Sequence, residues 1–387
     1  MRRPSANASL PEIECIELLE NIEEAYSRQF GVAPFNVSHW DPTDEFQTGM
    51  LRYLELPPLP STVAYRFSYQ VEETRPVIQK LGANANAHFG VFTPSTTTSI
   101  LCVLNWLKCR RGKTKPIIAA CPAYFSLFQA CRRFGLPIRA TYLRRENGQF
   151  MLPPPNSPIW RDRGILWLTS PVYGAGVYLS WENIAFVDQL LATGWTVVAD
   201  ECLALPGREL IRTLGHHANF LSIYSPHKSV CVNGVKFSAV VFSVEHQAFM
   251  ERWADVWYGG LDCANSLALT HYLSPNYAQF AARFFEAVKP QRAIFDRFCR
   301  EGGIESDPGA EGHFVSCYLP RVPARLGTSA KFLERLVYDT GGSLITGNRS
   351  RFHGSFGLSF RVNLARSGPR FEPTLARLIA HLRGLAN

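Results

Sequence analysis

With 387 residues, 46% of them hydrophobic and 19% charged, the chain has enough apolar material for one large domain, or for a large and a smaller one together. Its formal charge of +8 is scattered in short groups such as Arg110-Arg111, Arg132-Arg133 and Arg349 to Arg351, which reads as solvated surface and argues against a nucleic-acid partner. No run of about 18 apolar residues offers a membrane span, the first ten residues lack the apolar middle of a secretory signal, and ten scattered cysteines without a C-x-x-C pair read as reduced thiols of a cytoplasmic protein.

Along the chain, Ile13, Ile16, Leu19, Ile22 and Tyr26 recur at helical spacing and predict an amphipathic helix over Pro11 to Phe30, stopped by Gly31. Val32 to Pro60 is rich in Pro, Asp and Thr without a sustained period, and reads as an extended arm. From Thr93 to Ser243 short β-rich runs alternate with helical segments: Pro116 to Ala120, Ile165 to Thr169, Thr196 to Ala199, Phe220 to Tyr224 and Ser238 to Ser243. Such runs predict a mainly parallel sheet covered by helices on both faces, an α/β domain. A long helix is expected from Asn276 to Glu301. Strand-like pieces at His313 to Leu319, Ser343 to Thr346 and Gly357 to Val362, with helices at Ala330 to Tyr338 and Glu372 to Leu385, then read as a smaller α+β domain. The expected organisation is a helix and arm over residues 1–60, a large domain over 61–290 and a small domain over 291–387. The histidines show no H-E-x-x-H spacing, and the neighbours His216 and His217 would diverge on regular structure, so no metal site is expected.

Four strand-end features follow in order. The hydroxyl-rich turn Thr93-Pro94-Ser95-Thr96-Thr97-Thr98 leads into a helical run. A helix start suits a phosphate, although Ser and Thr also simply cap helices. Tyr124, after Cys121-Pro122-Ala123, can stack on a planar heterocycle or just pack. Asp200 ends an apolar run, where a carboxylate can hold a protonated pyridine nitrogen or cap a helix. Ser225-Pro226-His227-Lys228 follows the next run, with Lys236 downstream as a cation able to lower the pKa of Lys228.

This ordered series resembles the class I/II aminotransferases, the pyridoxal-phosphate (PLP) enzymes of fold type I, from about Tyr65 to Arg361. The resemblance implies a Schiff base between PLP and Lys228, Asp200 on the pyridine nitrogen and Tyr124 against the ring. It implies Ser95, Thr96, Thr97, Ser225 and Lys236 around the phosphate, and a homodimer in which Tyr65 reaches the neighbouring subunit's phosphate. Arg361, in Phe360-Arg361-Val362-Asn363, resembles the arginine that grips the substrate α-carboxylate, a task suited to its planar fork. His39 and Trp40 lie on the arm that would cover the substrate mouth, where they either contact substrate or anchor the arm.

Two departures stand out. The N-P-x-N-P-T-G segment of the family reads here Ser170-Pro171-Val172-Tyr173-Gly174-Ala175-Gly176, which places Tyr173 at the asparagine. The D-E-x-Y segment reads Asp200-Glu201-Cys202-Leu203, which places Leu203 at the tyrosine. The expected function is therefore PLP chemistry on an amino acid through an external imine and a Cα carbanion, with aminotransfer as the leading reaction. A specialised lyase, cyclase or carbon–carbon bond-forming synthase is the alternative, and a non-catalytic PLP-binding protein is a third reading.

Overall fold

The computed structural model describes residues 12–58, 66–69, 72–110, 115–347, 351–353 and 356–386. The chain divides into two compact units. One comprises residues 50–173 and 177–287, the other residues up to 49, 174–176 and 288 onward.

The larger unit is built on a seven-stranded sheet: β1 (His88–Thr93), β2 (Ile117–Cys121), β3 (Ile138–Tyr142), β4 (Ile165–Thr169), β5 (Thr196–Glu201), β6 (Phe220–Tyr224) and β7 (Ser238–Ser243). Their order across the sheet is β1-β7-β6-β5-β4-β2-β3. Five neighbours run parallel, and β7 lies antiparallel between β1 and β6. β4, β5, β6 and β7 are buried at every residue, which explains their unbroken apolar runs: both faces of the sheet are covered. Trp106 and Leu107 of the helix Thr96–Arg110 pack with Ile117, Trp167, Leu221 and Val240 in one buried cluster. Truncating a fully buried member such as Leu221 to Ala should cost about 2–5 kcal/mol, the lost apolar burial plus the cavity left behind.

Two strands carried no clear sequence signal, each for a physical reason. Gly90 interrupts the apolar run of β1, and β3 is an edge strand that exposes Arg139 and Tyr142. From β2 the chain moves out to β3 and then crosses back to β4 on the other side of β2. That reversal opens a crevice beyond the carboxyl ends of β2 and β4, where an open α/β sheet binds its ligands.

The other unit has a four-stranded antiparallel sheet in the order β8 (Glu305–Ser306), β9 (Phe314–Leu319), β11 (Leu358–Asn363), β10 (Ile345–Thr346). The predicted arm is more ordered than its composition implied. It contains a helix over Asp44–Leu51, and Phe35–Asn36 pairs in parallel with Gly342–Ser343. The first helix, Glu12–Phe30, buries Leu19 and Ile22 against Leu333 and Val337 of the helix Ala330–Thr340. Residues 12–49 thus group with the C-terminal part rather than standing apart as a 1–60 segment. The break near residue 287 falls inside the continuous helix Pro275–Gly302.

One local expectation fails. His216 and His217 do not diverge: they follow the short helix Ile211–Leu214 in a turn, and their ring centroids are 4.0 Å apart.

Candidate active site

The carboxyl ends of β1, β2, β4, β5 and β6 bring most of the singled-out residues to one edge of the sheet. Asp200, the penultimate residue of β5, is 1% exposed. Burial raises its pKa, opposed by the charge of Lys228 and by the thiol and N–H of Cys202, the latter donating at 3.3 Å. After β6, Ser225 turns the chain into the short helix Pro226–Ser229, which carries Lys228 half-buried with Nζ 5.2 Å from the centroid of the Tyr124 ring. Tyr124 sits between β2 and the helix Phe125–Phe134, and its ring packs against that of buried Tyr173 at 5.7 Å and 51°. Leu203 is buried as well, so an apolar side chain stands where the resemblance places a tyrosine.

The turn after β1 combines both of its open readings. Ser95 caps the helix Thr96–Arg110: its Oγ accepts from the N–H of Thr98 at 3.2 Å and pairs with Thr98 Oγ1 at 2.8 Å. The first-turn N–H groups of Thr96 and Thr97 still point out of the helix start with its partial positive charge. Thr97 is exposed and Thr96 buried. A chain of hydroxyls fixes this turn to the neighbouring strands: Thr93 to Ser99 at 2.8 Å, Ser99 to Ser238 at 2.9 Å, and Ser238 to the carbonyl of Tyr224 at 3.0 Å. Ser225 Oγ donates to the carbonyl of Phe237 at 2.8 Å, which ties the Lys228 segment to the residue after Lys236. Lys236 Nζ donates to the carbonyl of Asn233 at 2.7 Å.

Whether these residues suit the cofactor implied by the sequence is tested by what they leave unsatisfied. Asp200 is a buried acid whose hydrogen-bond partners both belong to Cys202, an arrangement that favours an added cationic N–H donor. The hydroxyls of Thr96, Thr169 and Ser170 are buried at the same strand ends without a hydrogen bond of normal length, Thr96 having the Cys202 thiol nearby. Unsatisfied buried hydroxyls carry a cost that a polar ligand would relieve. The donor set therefore fits a pyridinium ring bearing a phosphate.

His227, beside Lys228, was not singled out from the sequence. It is fully buried and pairs with His271 at 3.0 Å through Nε2 and Nδ1. Burial, with His271 adding to it, lowers the pKa of His227 to about 3. Burial, with Lys80 adding to it, lowers that of His271 to about 4, so the pair is neutral at pH 7. An H-K dipeptide at a strand end is the only local signal, and the partner lies in the distant helix Cys263–Leu273.

In the smaller unit Arg361, central in β11, is 4% exposed. Its Nε and Nη2 donate to the carbonyl of Ser38 at 3.3 and 3.1 Å, and its guanidinium lies 3.8 Å from the Trp40 ring centroid and 4.8 Å from that of Phe314. Trp40 is thus placed on Arg361. His39 is not: its exposed ring accepts from the N–H of Asp41 through Nδ1 at 3.1 Å. Gly176 is packed so closely against the carbonyls of Phe314 and Glu311 that a Cβ would clash, and its φ of +70° also requires glycine. Tyr65 lies outside the described residues.

No family model and no curated protein sequence matches the chain. Solved structures do match over its whole length. A mutant of Thermus thermophilus aspartate aminotransferase aligns with a TM-score of 0.74 at 15% identity, covering all of both chains. An Escherichia coli protein with a methionine aminotransferase function aligns at 0.71 and 14%, covering 98% of this chain and 99% of that one. N-succinyldiaminopimelate aminotransferase of Mycobacterium tuberculosis aligns at 0.71 and 16%, covering 98% and 100%. The chain has the fold of the class I aminotransferases, fold type I.

Proposed function

Taking that fold as the premise, we propose that this chain is a pyridoxal-phosphate enzyme acting on an amino acid, with aminotransfer as its reaction. The observation that carries the proposal is the meeting of Asp200, Tyr124 and Lys228 at one strand edge, the acid buried and Lys228 Nζ 5.2 Å from the tyrosine ring centroid. When bound, the cofactor supplies an electron sink for the pair left at the substrate Cα. Lys228 Nζ would hold its aldehyde and, once displaced by the substrate amine, would be the base that takes the Cα proton. Asp200 keeps the ring nitrogen protonated, and Tyr124 offers an aromatic face. The N–H groups of Thr96 and Thr97, with Ser95, Ser225 and Lys236, bind the phosphate. Tyr173 takes the place of the asparagine near the ring oxygen. Arg361, oriented by Ser38 and Trp40, binds the α-carboxylate, while His39 is left to the mouth of the arm. A cytoplasmic homodimer completes the reading, with Tyr65 serving the neighbouring copy.

A second reading is favoured by one specific feature, the pair Tyr173 and Leu203, both buried. Hydrogen bonds that favour a charged ring oxygen are altered at these two positions, which shifts the proton affinity of the attachment at Lys228. A lyase, cyclase or bond-forming synthase would exploit such a shift. One experiment separates the two: a panel of amino acids screened for a change in cofactor absorbance, followed by mass analysis of products. Release of a keto acid with conversion of the cofactor to its amino form supports aminotransfer. Loss of a side-chain substituent or formation of a new carbon–carbon bond supports the second reading, and no turnover with any amino acid points to a non-catalytic binding protein.

A further inference from the structure

The edge of the large sheet opposite Lys228 holds a cluster that the proposed chemistry does not use. Asp188 lies near the end of the helix Trp181–Ala192, just before β5, and His216 and His217 lie in the turn that leads into β6. Both therefore sit at the amino ends of the strands, whereas Asp200 and Lys228 sit at or beyond the carboxyl ends. His217 Nε2 is 2.8 Å and His216 Nε2 3.4 Å from Asp188 Oδ1, and ligand atoms of all three residues lie within 4.8 Å of one another.

We propose that Asp188, His216 and His217 form a binding site for a divalent transition cation of the zinc class. Three features of the geometry carry this. First, Zn–N and Zn–O bonds of about 2.0–2.2 Å in a tetrahedron set ligand atoms roughly 3.3 Å apart. The His216 separation is close to that value, and the His217 separation reaches it by a small opening of the half-buried His217 and Asp188 side chains. Second, His216 Nδ1 faces the carbonyl of Thr213 at 3.0 Å. A carbonyl only accepts, so Nδ1 carries a hydrogen, and the ring is held with Nε2 turned toward Asp188. Nε2 faces Asp188 Oδ1 across 3.4 Å, a gap that a metal ion bonded to both atoms would span. A backbone carbonyl on the far nitrogen is also the usual way a ligating histidine is oriented. Third, two imidazoles and one carboxylate suit zinc and its neighbours rather than calcium or magnesium, which take oxygen donors. With three protein ligands the fourth position belongs to water. Because the helix and the turn lead into adjacent strands, the cation would clip the approaches to β5 and β6 together and add to stability without altering turnover.

The test is titration calorimetry of the full chain with Zn2+, comparing wild type with His216→Ala, His217→Ala and a Cys109→Ser/Cys263→Ser control that removes the two exposed free thiols among the described residues. His216 is mostly exposed, so its substitution leaves the fold intact. The expected result is one saturable equivalent in wild type and in the cysteine control, weakened by at least about tenfold in each histidine variant. A melting temperature that rises with Zn2+ in wild type and not in His216→Ala is the second expected readout. Absence of saturable binding, binding unchanged in both histidine variants, or loss of binding in the cysteine control would overturn the proposal.

Discussion

Lys228 Nζ lies 5.2 Å from the centroid of the Tyr124 ring, although the two residues come from the ends of strands separated by β4 and β5 in the sheet. The relationship depends on the ring, so Tyr124→Phe should keep cofactor affinity within about twofold of wild type. Tyr124→Ala should weaken it by up to roughly tenfold, the upper end of the about 0.5–1.5 kcal/mol associated with an aromatic contact. Fluorescence titration of the dialysed protein with PLP checks both.

Asp200 carries the electrostatic part of the account. Asp200→Asn keeps the shape but removes the charge that holds a ring nitrogen protonated, so kcat should fall by about 10²–10³ while the cofactor stays attached. Steady-state kinetics with the best substrate of the panel, together with the absorbance of the bound cofactor, separates the two effects.

Thr96 offers a test that does not require turnover. Its hydroxyl is buried without a normal hydrogen bond, so Thr96→Val should leave the stability of cofactor-free protein unchanged or slightly higher. In PLP-loaded protein the same substitution removes a partner, and affinity should drop by about fivefold to tenfold, the net worth of one hydrogen bond. Urea midpoints with and without PLP read this out.

Much of this arrangement was legible before any coordinates, and the reasons differ by residue. The runs of β4, β6 and β7 were bounded correctly because strands buried on both faces are written as unbroken apolar stretches. The order of turn, aromatic, acid and lysine was visible because each lies at or just beyond the end of its strand. Trp40 on Arg361 and His271 on His227 were not visible as pairs, since the partners come from distant segments and meet only through tertiary packing. His216 and His217 converge because they lie in a turn, not on the regular structure on which neighbouring side chains diverge. Residues 12–49 join the C-terminal part through Leu19 and Ile22 on Leu333 and Val337 and through the parallel pairing of Phe35–Asn36 with Gly342–Ser343, tertiary contacts that no local pattern announces.

Glu201 should make stability depend on pH. Burial pushes its pKa from 4.5 up to about 8, against the hydrogen bonds from Ser222 Oγ at 2.6 Å and the N–H of Leu210. The folded state therefore holds a proton that the unfolded state has released between these values. Stability is lost as pH rises from about 4.5 to about 8, by up to roughly 1.4 kcal/mol per pH unit. Glu201→Gln keeps the shape without that titration, so its urea midpoint should gain on wild type between pH 5 and pH 8. A constant difference between the two proteins across that range would contradict the assignment.

Trp40 should act through Arg361. Trp40→Ala removes the ring 3.8 Å from the guanidinium, and the amino-acid KM should rise by about fivefold with kcat little changed, in line with roughly 1 kcal/mol for a cation–π contact. Arg361→Lys should raise KM further, because an ammonium cannot form the two-pronged hydrogen bond. His39→Ala, with its ring turned toward Asp41, should change KM by less than twofold.

The most direct test of the central claim is borohydride reduction of the PLP-loaded protein, followed by peptide mass analysis. The account predicts a stable pyridoxyl adduct on Lys228 and none in Lys228→Ala, which should retain PLP only loosely. An adduct on another lysine, or undiminished covalent attachment in Lys228→Ala, would contradict it.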